Sequence, residues 1–267
     1  MPNTENTKTS HVWENLMIEA QQAANDEPAL AELLHTCLIA RAGLEEALCY
    51  RLARKLGHHA VSEEFLHEIF LDVLDADATI GEQVREDLIA VRNRDPATDD
   101  YLTPFLYYKG FQALSSYRFA HNLWKRKRKQ IAWYLQSIVS EVFQVDIHPA
   151  ARIGCGILID HATGVVIGET ALIEDNVSLL HAVTLGGTGK EHGDRHPKIR
   201  SGVLIGAGAK ILGNVEVGVG AKIGAGSVVL NDVSPHTTVA GVPAVVVGEA
   251  RESSPALDMD HNLDWSV

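Results

Sequence analysis

Cysteine is scarce in this sequence: Cys37, Cys49 and Cys155 are the only three among 267 residues. They form no CxxC pair, and their spacing is not that of a common zinc site. We therefore interpret them as reduced thiols, and we expect a cytoplasmic protein without a bound metal.

Long apolar runs are also missing, and so is an excess of positive charge. No uninterrupted apolar stretch approaches the ~20 residues needed to cross a bilayer, and residues 1–8 contain no apolar signal core. Lysine and arginine together number 23, against 35 aspartates and glutamates, which gives a net charge of −12. These deficits argue against a membrane protein and against a main surface that binds nucleic acid.

One basic run, residues 125–129, departs from this acidic background. Five adjacent charges point all around a helix or fill a linker, and no aromatic residues accompany them as they do at single-strand nucleic-acid sites. We interpret the run as a solvated junction between helices.

The first half of the chain has the pattern of a helical domain. Residues 11–141 contain little glycine, and apolar side chains recur at helical spacing, for example at Leu30, Leu34 and Leu38. Asp95 precedes a proline, and because proline excludes helical geometry from the residue before it, Asp95 should lie at a helix end or in a loop. We place this helical domain at residues 1–142.

The second half has a different period, because an aliphatic residue recurs at every sixth position in three successive frames. The frames are Ile147, Ile153, Ile159 and Val165; Ile167, Ile173, Leu179 and Leu185; and Ile205, Ile211, Val217, Ile223 and Val229. Six fits neither the 3.6-residue helical period nor the turn spacing of ~8 to 12 residues in a β-sandwich. Short strands whose first residue always points inward predict a β-helix over residues 143–248, with coils of about 18 residues.

Residues 249–267 form a polar and acidic tail that ends in Asp264, Trp265, Ser266 and Val267. Such a composition buries too little apolar surface to offset the entropy of ordering, so we expect a flexible tail. Its apolar end is either a frayed terminus or a peptide ligand for another protein.

His161 is the first candidate for chemistry. Asp160 adjoins it, and Asp146 precedes it by 15 residues, so a coil of about 18 residues would put Asp146 almost beneath His161 on the neighbouring coil. An unperturbed imidazole has a pKa of about 6.5, and a carboxylate on its second nitrogen fixes the tautomer. We predict an Asp–His dyad that activates a hydroxyl nucleophile. The alternative is a surface histidine without a role.

The second candidate is the interruption of the repeat between Leu185 and Ile205, a gap of twenty residues that we interpret as one coil plus two residues. Charged loops of this kind in compact domains usually bind something. Arg195 has the planar fork that grips a carboxylate, and Gly187 and Gly189 allow a ligand to approach the backbone. The strand, GxxxxGK[ST] and helix of a phosphate loop are missing.

Several motifs resemble one family closely. They are residues 143–150 (FQVDIHPA), 160–164 (DHATG), 183–189 (VTLGGTG), 194–198 (DRHPK) and 206–213 (GAGAKILG), with 94–96 (RDP) and 106–111 (LYYKGF) in the helical half. Together they resemble serine acetyltransferase of the cysteine biosynthesis pathway over nearly the whole chain. The resemblance implies a left-handed parallel β-helix, trimers with active sites between neighbouring subunits, and hexamers joined through the helical domains.

The same resemblance implies roles for individual residues. His161 matches the general base, which takes the proton of the L-serine hydroxyl as that oxygen attacks acetyl-CoA, giving O-acetyl-L-serine and CoA. Asp146 matches the carboxylate that orients it. Asp95 and Asp160 match the carboxylates that hold the serine ammonium group. Arg195 and His196 match the residues that bind the serine carboxylate.

Coenzyme A and regulation also follow from the resemblance. The positions that line the coenzyme groove are Gly187, Thr188, Ala207, Lys222 and Ala225. L-cysteine is expected as a feedback inhibitor, and the tail is expected to insert into O-acetylserine sulfhydrylase. Three departures from the family pattern are His192 in place of a small residue, residues 242–246 without the usual arginine, and a terminal valine, Val267, in place of isoleucine.

Three other interpretations remain open at this point. A related acyltransferase acting on a sugar or antibiotic hydroxyl has little need for the charges that surround a zwitterion. A β-helical metalloenzyme of the carbonic anhydrase type would bind zinc through His161, His181 and His196. A non-catalytic scaffold would keep the coil and bind the sulfhydrylase through its tail.

Overall fold

The computed structural model describes residues 4–189, 192–250 and 252–262. The N-terminal half is helical, as predicted. Its helices are α1 (Thr4–Asp26), α2 (Ala31–Leu34), α3 (Leu44–Leu56), α4 (Glu63–Ala76), α5 (Thr79–Arg94), α6 (Leu102–Tyr107), α7 (Lys109–Lys125) and α8 (Lys129–Phe143), with a 3₁₀ turn at Pro28–Leu30 and a π turn at His35–Ile39. None of the helices described has the length and apolarity needed to span a membrane.

Helix ends follow local sequence signals. The Ser62 side chain accepts a hydrogen bond from the backbone of Phe65 at the start of α4, which is the usual role of serine at this position. The predicted junction of the basic run is confirmed, because α7 ends at Lys125 and α8 begins at Lys129. Arg126 and Arg128 at this junction both pair with Asp72, at 3.1 and 2.7 Å.

The C-terminal half is a parallel β-helix with three faces, which confirms the predicted fold class. Face 1 contains β1 (Val145–Ile147), β4 (Val165–Ile167), β7 (Thr184–Gly186), β10 (Lys210–Leu212) and β13 (Val228–Val229). Face 2 contains β2 (Arg152–Ile153), β5 (Leu172–Ile173), β8 (Lys198–Ile199) and β11 (Glu216–Val217). Face 3 contains β3 (Leu158–Ile159), β6 (Ser178–Leu179), β9 (Leu204–Ile205), β12 (Lys222–Ile223), β14 (Thr237–Gly241) and β15 (Ala244–Glu249). Among the strands of these three faces in the described residues, β14 and β15 pair antiparallel and the other pairs are parallel.

The anchors of the six-residue repeat stack inside the coil. Ile147, Ile167, Leu185, Ile211 and Val229 follow one another up face 1, each no more than 3% exposed. Such a column of aliphatic side chains, repeated on each face, supplies the hydrophobic core of the β-helix. The period therefore predicts which residues point inward.

The lengths of the coils differ from the prediction of about 18 residues at three places, one of which is the 16-residue step from Ile223 to Val239. Val145 pairs with Val165, 20 residues further on, because the corner containing His161 is longer. Leu185 pairs with Ile211, 26 residues further on, so the interruption adds eight residues to a coil rather than two. The prediction of a two-residue insertion was wrong because it took Ile205, which stacks on Leu179 in face 3, as the partner of Leu185.

A buried ion pair and a close backbone approach fix the helical domain on the coil. Arg118 contacts Asp87 at 2.6 Å, and both side chains are at most 2% exposed. Asp87 also accepts a hydrogen bond from the backbone of Ile157, so α5 and α7 are tied to the loop before β3. Gly110 at the start of α7 lies directly against the carbonyl group of Ile159, where any side chain would collide. The ends of α5 and α7 are thereby held against the His161 corner.

The beginning of the tail is docked on the coil, whereas the sequence predicts a flexible segment from residue 249. A ninth helix, α9 (Pro255–Asp258), packs against face 3, and Ala256 is fully buried. The Ser178 hydroxyl donates to the Ala256 carbonyl at 2.8 Å, and the Ala256 amide donates to the Gly202 carbonyl at 3.1 Å. The sequence did not indicate this docking of residues 252–262, because composition does not reveal backbone partners on another element. The terminal residues 263–267, including Val267, lie outside the described residues.

Candidate active site

The corner at which face 3 leads into face 1, here called the first corner, carries one row of candidate residues up the coil axis. The His161 ring stacks edge-on against His181, with centroids 5.8 Å apart. The His181 carbonyl accepts from Gly208, and the carbonyl of Ala207 accepts from Gly226. Ala207 and the residue before Gly226, Ala225, therefore continue the row that His161 begins.

His161 itself is held in an unusual backbone conformation. Its φ is 55° and that of Ala162 is 60°, in the left-handed region that residues with side chains seldom adopt. Strain of this kind persists where the surroundings enforce it, often at functional sites. The His161 side chain is three-quarters exposed, and its Nε2 lies 3.6 Å from Asp160 Oδ2. The imidazole is thus presented to solvent beside a carboxylate.

A cavity of about 740 Å³ opens beside His161, and Asp95 and Asp160 line it. Asp95 follows the last residue of α5, as predicted from the proline after it, and its Oδ1 accepts from the backbone of Ala97 at 2.8 Å. Burial, followed by the negative charges of Asp95 and Asp160, raises the pKa of the neighbouring Tyr108. The two carboxylates therefore face one cavity.

Arg195 and His196 lie elsewhere, at the second corner, where face 1 leads into face 2. The Thr170 hydroxyl accepts from the backbone amides of both residues, at 3.0 and 3.2 Å. The guanidinium group of Arg195 donates to Glu169 at 2.7 Å. That hydrogen bond lowers the pKa of Glu169, and burial lowers the pKa of His196.

The orientation of His196 is set by its neighbours. Its Nδ1 accepts from the Thr170 amide at 3.2 Å and contacts the Thr170 hydroxyl at 2.8 Å. In the neutral ring the proton is then on Nε2, so His196 can donate a hydrogen bond from that atom. The ring lies directly over Gly168, and a Cβ at that position would overlap it. Glycine is needed at position 168 because the imidazole occupies the space of a side chain.

Asp146 is not where the coil length predicts it. Its partner on the neighbouring coil is Val166, and the His161 ring stacks on His181 instead. The prediction that Asp146 lies almost beneath His161 was wrong because that coil has 20 residues, and the two extra residues move the corner. Asp146 Oδ1 accepts a hydrogen bond from Gln136 Nε2 at 2.6 Å.

Asp146 lies in β1, which leads into the second corner. His148 follows β1 at that corner, and the charges that act on it come from Glu169, Asp146 and Arg195. Burial lowers the pKa of His148, with these charges as smaller effects. One chain therefore carries two separate groups of predicted site residues. The first is Asp95, Asp160 and His161, and the second is Asp146, Arg195 and His196.

The predicted coenzyme residues divide in the same way. Ala207 and Ala225 lie on the first corner, in the row of His161, whereas Gly187 and Thr188 begin the long loop of the second corner. Lys222 differs from both pairs, because it is only 5% exposed and its Nζ donates to the backbone oxygen of Asn262 at 2.6 Å. The ammonium group of Lys222 is thus hydrogen-bonded to the docked tail.

Sequence reasoning missed Glu169 and Thr170 as members of the second corner. A signal was present, because both follow Gly168 at a corner of the repeat, one coil before the charged loop. Tail residues that line the cavity beside His161, Met259 and His261, were also missed. Nothing in the local sequence indicated that the tail folds back there.

The histidines of the zinc alternative do not converge within a chain, since His161 and His181 lie on the first corner and His196 on the second. In the part of the chain that the structure describes, no group of three or more histidine, cysteine, aspartate or glutamate residues is arranged to hold a metal ion.

Comparison with known proteins decides the family. The family described as "Serine acetyltransferase, N-terminal" matches residues 12–116, and the bacterial transferase hexapeptide family matches residues 196–231. The serine acetyltransferase of Salmonella typhimurium is 55% identical over 95% of this chain and 93% of its own length. The chain belongs to the serine acetyltransferase family. It is therefore an acyltransferase, and the resemblance inferred from its motifs is confirmed.

Solved structures of serine acetyltransferases agree with this assignment. That from Vibrio cholerae is 54% identical and superposes with a TM-score of 0.94, covering 96% of this chain and 99% of the other. A Brucella abortus serine acetyltransferase in complex with coenzyme A is 53% identical, with a TM-score of 0.88 over 89% of this chain and 95% of that one. A third, in complex with cysteine, is 51% identical, with a TM-score of 0.93 over 95% and 99% of the two chains.

Proposed function

We propose that this chain transfers the acetyl group of acetyl-CoA to the hydroxyl of L-serine, with His161 as general base. The imidazole takes the hydroxyl proton while the serine oxygen attacks the thioester carbonyl. The tetrahedral intermediate then expels the CoA sulfur, which receives the proton from the imidazolium. The products are O-acetyl-L-serine and CoA, and the reaction is the first step from serine to cysteine. The exposure of His161 beside the cavity supports this role.

We propose that the active site forms between two copies of the chain. The first corner of one copy contributes Asp95, Asp160 and His161, and the second corner of its neighbour contributes the groups that face them. This arrangement is supported by the separation of the two groups on different corners of a single chain. A trimer closes three such contacts around one axis, and a hexamer would pair two trimers through the helical domains.

The charges of the two corners suit the two ends of an amino acid. The ammonium group of serine would lie between Asp95 and Asp160, which line the same cavity as His161. The carboxylate would lie at Arg195 and at the Nε2–H of His196. A guanidinium fork binds a carboxylate through two parallel hydrogen bonds, so it orients the hydroxyl toward the base. A simple sugar has neither the ammonium group nor the carboxylate that these residues would bind.

Asp146 would orient the imidazole from the neighbouring copy. Within one chain it lies with the second corner, and its carboxylate has Gln136 as partner. When copies associate, a carboxylate placed there would accept from the imidazole nitrogen that does not take the serine proton. It would fix the tautomer and stabilise the imidazolium.

Coenzyme A would lie between the same two copies. Ala207 and Ala225 would border it on one side, and Gly187 and Thr188 on the other. Lys222 joins this groove only if the tail releases it, because Asn262 and Asp260 are its present neighbours. Residues 242–246 lack the arginine that the family resemblance leads us to expect as a coenzyme contact, and Val245 and Val246 in this hairpin are largely exposed.

Regulation and location belong to the same proposal. L-cysteine carries the ammonium and carboxylate of serine and would bind the same charges, so it is expected to inhibit. The terminal residues ending in Val267 would bind O-acetylserine sulfhydrylase. Because valine has one CH₂ group fewer than isoleucine, the binding free energy should be weaker by about 0.8 kcal/mol. A titration of the sulfhydrylase with a peptide of the last ten residues tests this. The free thiols agree with a cytoplasmic enzyme.

The deciding experiment measures acetyl-CoA consumption with L-serine and with a panel of sugars. Serine should be the substrate, and His161→Ala should lower kcat by about 10² to 10⁴, the usual contribution of general base catalysis. Asp146→Asn should also lower it. His192→Ala, an exposed histidine of the long loop, serves as control and should keep full activity. Turnover of a sugar but not of serine would refute the proposed substrate, and an unaffected His161→Ala would support the scaffold alternative.

A further inference from the structure

Gln136 of α8 is hydrogen-bonded to Asp146, the carboxylate that is proposed to orient the catalytic imidazole. Its Nε2 donates to Asp146 Oδ1 at 2.6 Å. The reverse amide orientation would put two acceptor oxygens at that distance, so the donor must face the carboxylate. The second carboxylate oxygen, Oδ2, has no hydrogen-bond partner among the residues that the structure describes. One oxygen of Asp146 is thus fixed and the other is available.

The other end of the same side chain has no such partner. Gln136 Oε1 is buried and makes no hydrogen bond to any described residue. A buried acceptor without a donor lowers stability, and a glutamine is therefore a poor choice here for packing alone. An apolar side chain of the same length would avoid the unpaired oxygen. The feature that this glutamine adds is the hydrogen bond to Asp146.

The local fold brings the two residues together over a short stretch of chain. Helix α8 ends at Phe143, Gln144 reverses the chain in a left-handed conformation with φ of 58°, and β1 begins at Val145. Asp146 is then placed on the outer side of face 1, beneath α8. A rigid helix and a strand hold both partners, so the carboxylate cannot turn freely.

From these observations we infer that Gln136 is a positioning residue that orients Asp146 toward the catalytic imidazole. The inference rests on the proposed role of Asp146. A neutral donor suits this task, because it fixes one carboxylate oxygen without cancelling the charge that stabilises the imidazolium. Lysine or arginine at position 136 would neutralise that charge. The helical domain, through α8, then takes part in the chemistry as well as in assembly.

The test uses two changes at position 136 in the full-length enzyme. Gln136→Met keeps the length and the helix propensity but loses the donor, and it also removes the unpaired oxygen. We expect kcat to fall by about tenfold, as for other partners of the groups that orient a catalytic centre, with both KM values and the melting temperature nearly unchanged. Ser137→Ala, at a neighbouring position in the same surface depression, is the control and should match the wild type.

Gln136→Glu tests the electrostatic part. Glu141 in α8 lines the same surface depression as Asp146, and Asp146 acts together with Glu169 and Arg195 on the neighbouring His148. A further carboxylate among them favours the protonated imidazole, so the acidic limb of the pH–rate profile should move to higher pH. An unchanged acidic limb would show that position 136 does not act on the catalytic imidazole through Asp146, and would count against the inference.

The double variant Gln136→Met/Asp146→Asn separates the inference from the mechanism on which it rests. If Gln136 acts through Asp146, the double variant should be no slower than Asp146→Asn alone. If Asp146→Asn is impaired but Gln136→Met is fully active, the inference about Gln136 is overturned and the proposed dyad stands. The same holds if the losses of the two single variants multiply in the double variant. A fully active Asp146→Asn would overturn both the proposed dyad and the inference. If the activity of Gln136→Met falls only as much as the fraction of folded enzyme falls, this would also count against the inference.

Discussion

Lys222 and Asn262 are joined by a hydrogen bond of 2.6 Å, from the lysine Nζ to the backbone oxygen of the asparagine. The contact ties the tail to a position proposed to face coenzyme A. Under the proposed function it would compete with the coenzyme for the same ammonium group, and α9 holds the tail in place through the buried Ala256. Docking of the tail and binding of the coenzyme would then be linked.

Ala256→Arg should detach the tail, because a charged side chain cannot be buried at that position without a partner. Since Lys222 then becomes available, we expect KM for acetyl-CoA to fall by about threefold to fivefold, the equivalent of a net hydrogen bond of ~1 kcal/mol. Limited proteolysis should cut the variant within residues 252–262. Leu257→Arg on the exposed side of α9 is the control. An unchanged protease pattern in Ala256→Arg would contradict the docking.

Two inactive variants should restore each other if the active site lies between copies. His161→Ala damages the first corner and Arg195→Ala the second, so a mixed assembly contains contacts at which both corners are intact. Random mixing should recover about a quarter of the wild-type activity in a symmetric ring. The matched control mixes His161→Ala with Asp160→Ala, which damage the same corner and should recover nothing. Absence of recovery in the first mixture would place the site within one chain.

Gly168→Ala should weaken serine binding specifically. The added methyl group would overlap the His196 ring, and displacement of a binding group by ~1 Å can cost up to about a hundredfold. We expect KM for L-serine to rise at least about tenfold while KM for acetyl-CoA changes little. Gly43→Ala, where the added atom meets only ordinary contacts, is the control for steady-state kinetics. Equal effects on both substrates would argue against a local displacement of His196.

Arg118→Met should destabilise the junction between the domains. It leaves the Asp87 carboxylate buried without its cation, which typically costs ~3 to 5 kcal/mol. The double variant with Asp87→Leu should lose less, because no carboxylate is then buried at position 87 without its cation. Urea denaturation at fixed protein concentration measures both. A double variant as unstable as the two single changes combined would show that the pair contributes by packing rather than by charge.

Stability should fall on acidification partly through His121. Burial lowers the pKa of His121 in the folded protein, and its Nδ1 contacts the carbonyl oxygen of Pro149 at 2.8 Å. Because the folded state favours the neutral ring, its contribution is present above the ordinary imidazole pKa of about 6.5 and is lost as pH falls below it. His121→Gln should flatten the dependence of unfolding free energy between pH 7 and 5. The exposed His11→Gln is the control, and an equal flattening there would contradict the assignment.

The sequence alone predicts the type of each half and several precise positions. The six-residue period indicates the β-helix and its inward residues, since each anchor from Ile147 to Val229 repeats a local geometry. The proline after Asp95 places that carboxylate at the end of α5, because the restriction acts on the adjacent residue. The motifs around His161 and Arg195 identify the family before any coordinates. Each of these features depends on residues that are close together in the sequence, and it can therefore be predicted from the sequence.

Only the tertiary structure decided where these groups stand relative to one another. The register of Leu185 against Ile211, rather than Ile205, depends on which strands pair across a corner insertion. The pairing of Val145 with Val165 separates Asp146 from His161 in a single chain. The docking of the tail brings Asn262 to Lys222, 40 residues away in sequence. Pairing and docking are set by the packing of residues far apart in the chain, and a repeat with an insertion allows more than one register until that packing is known.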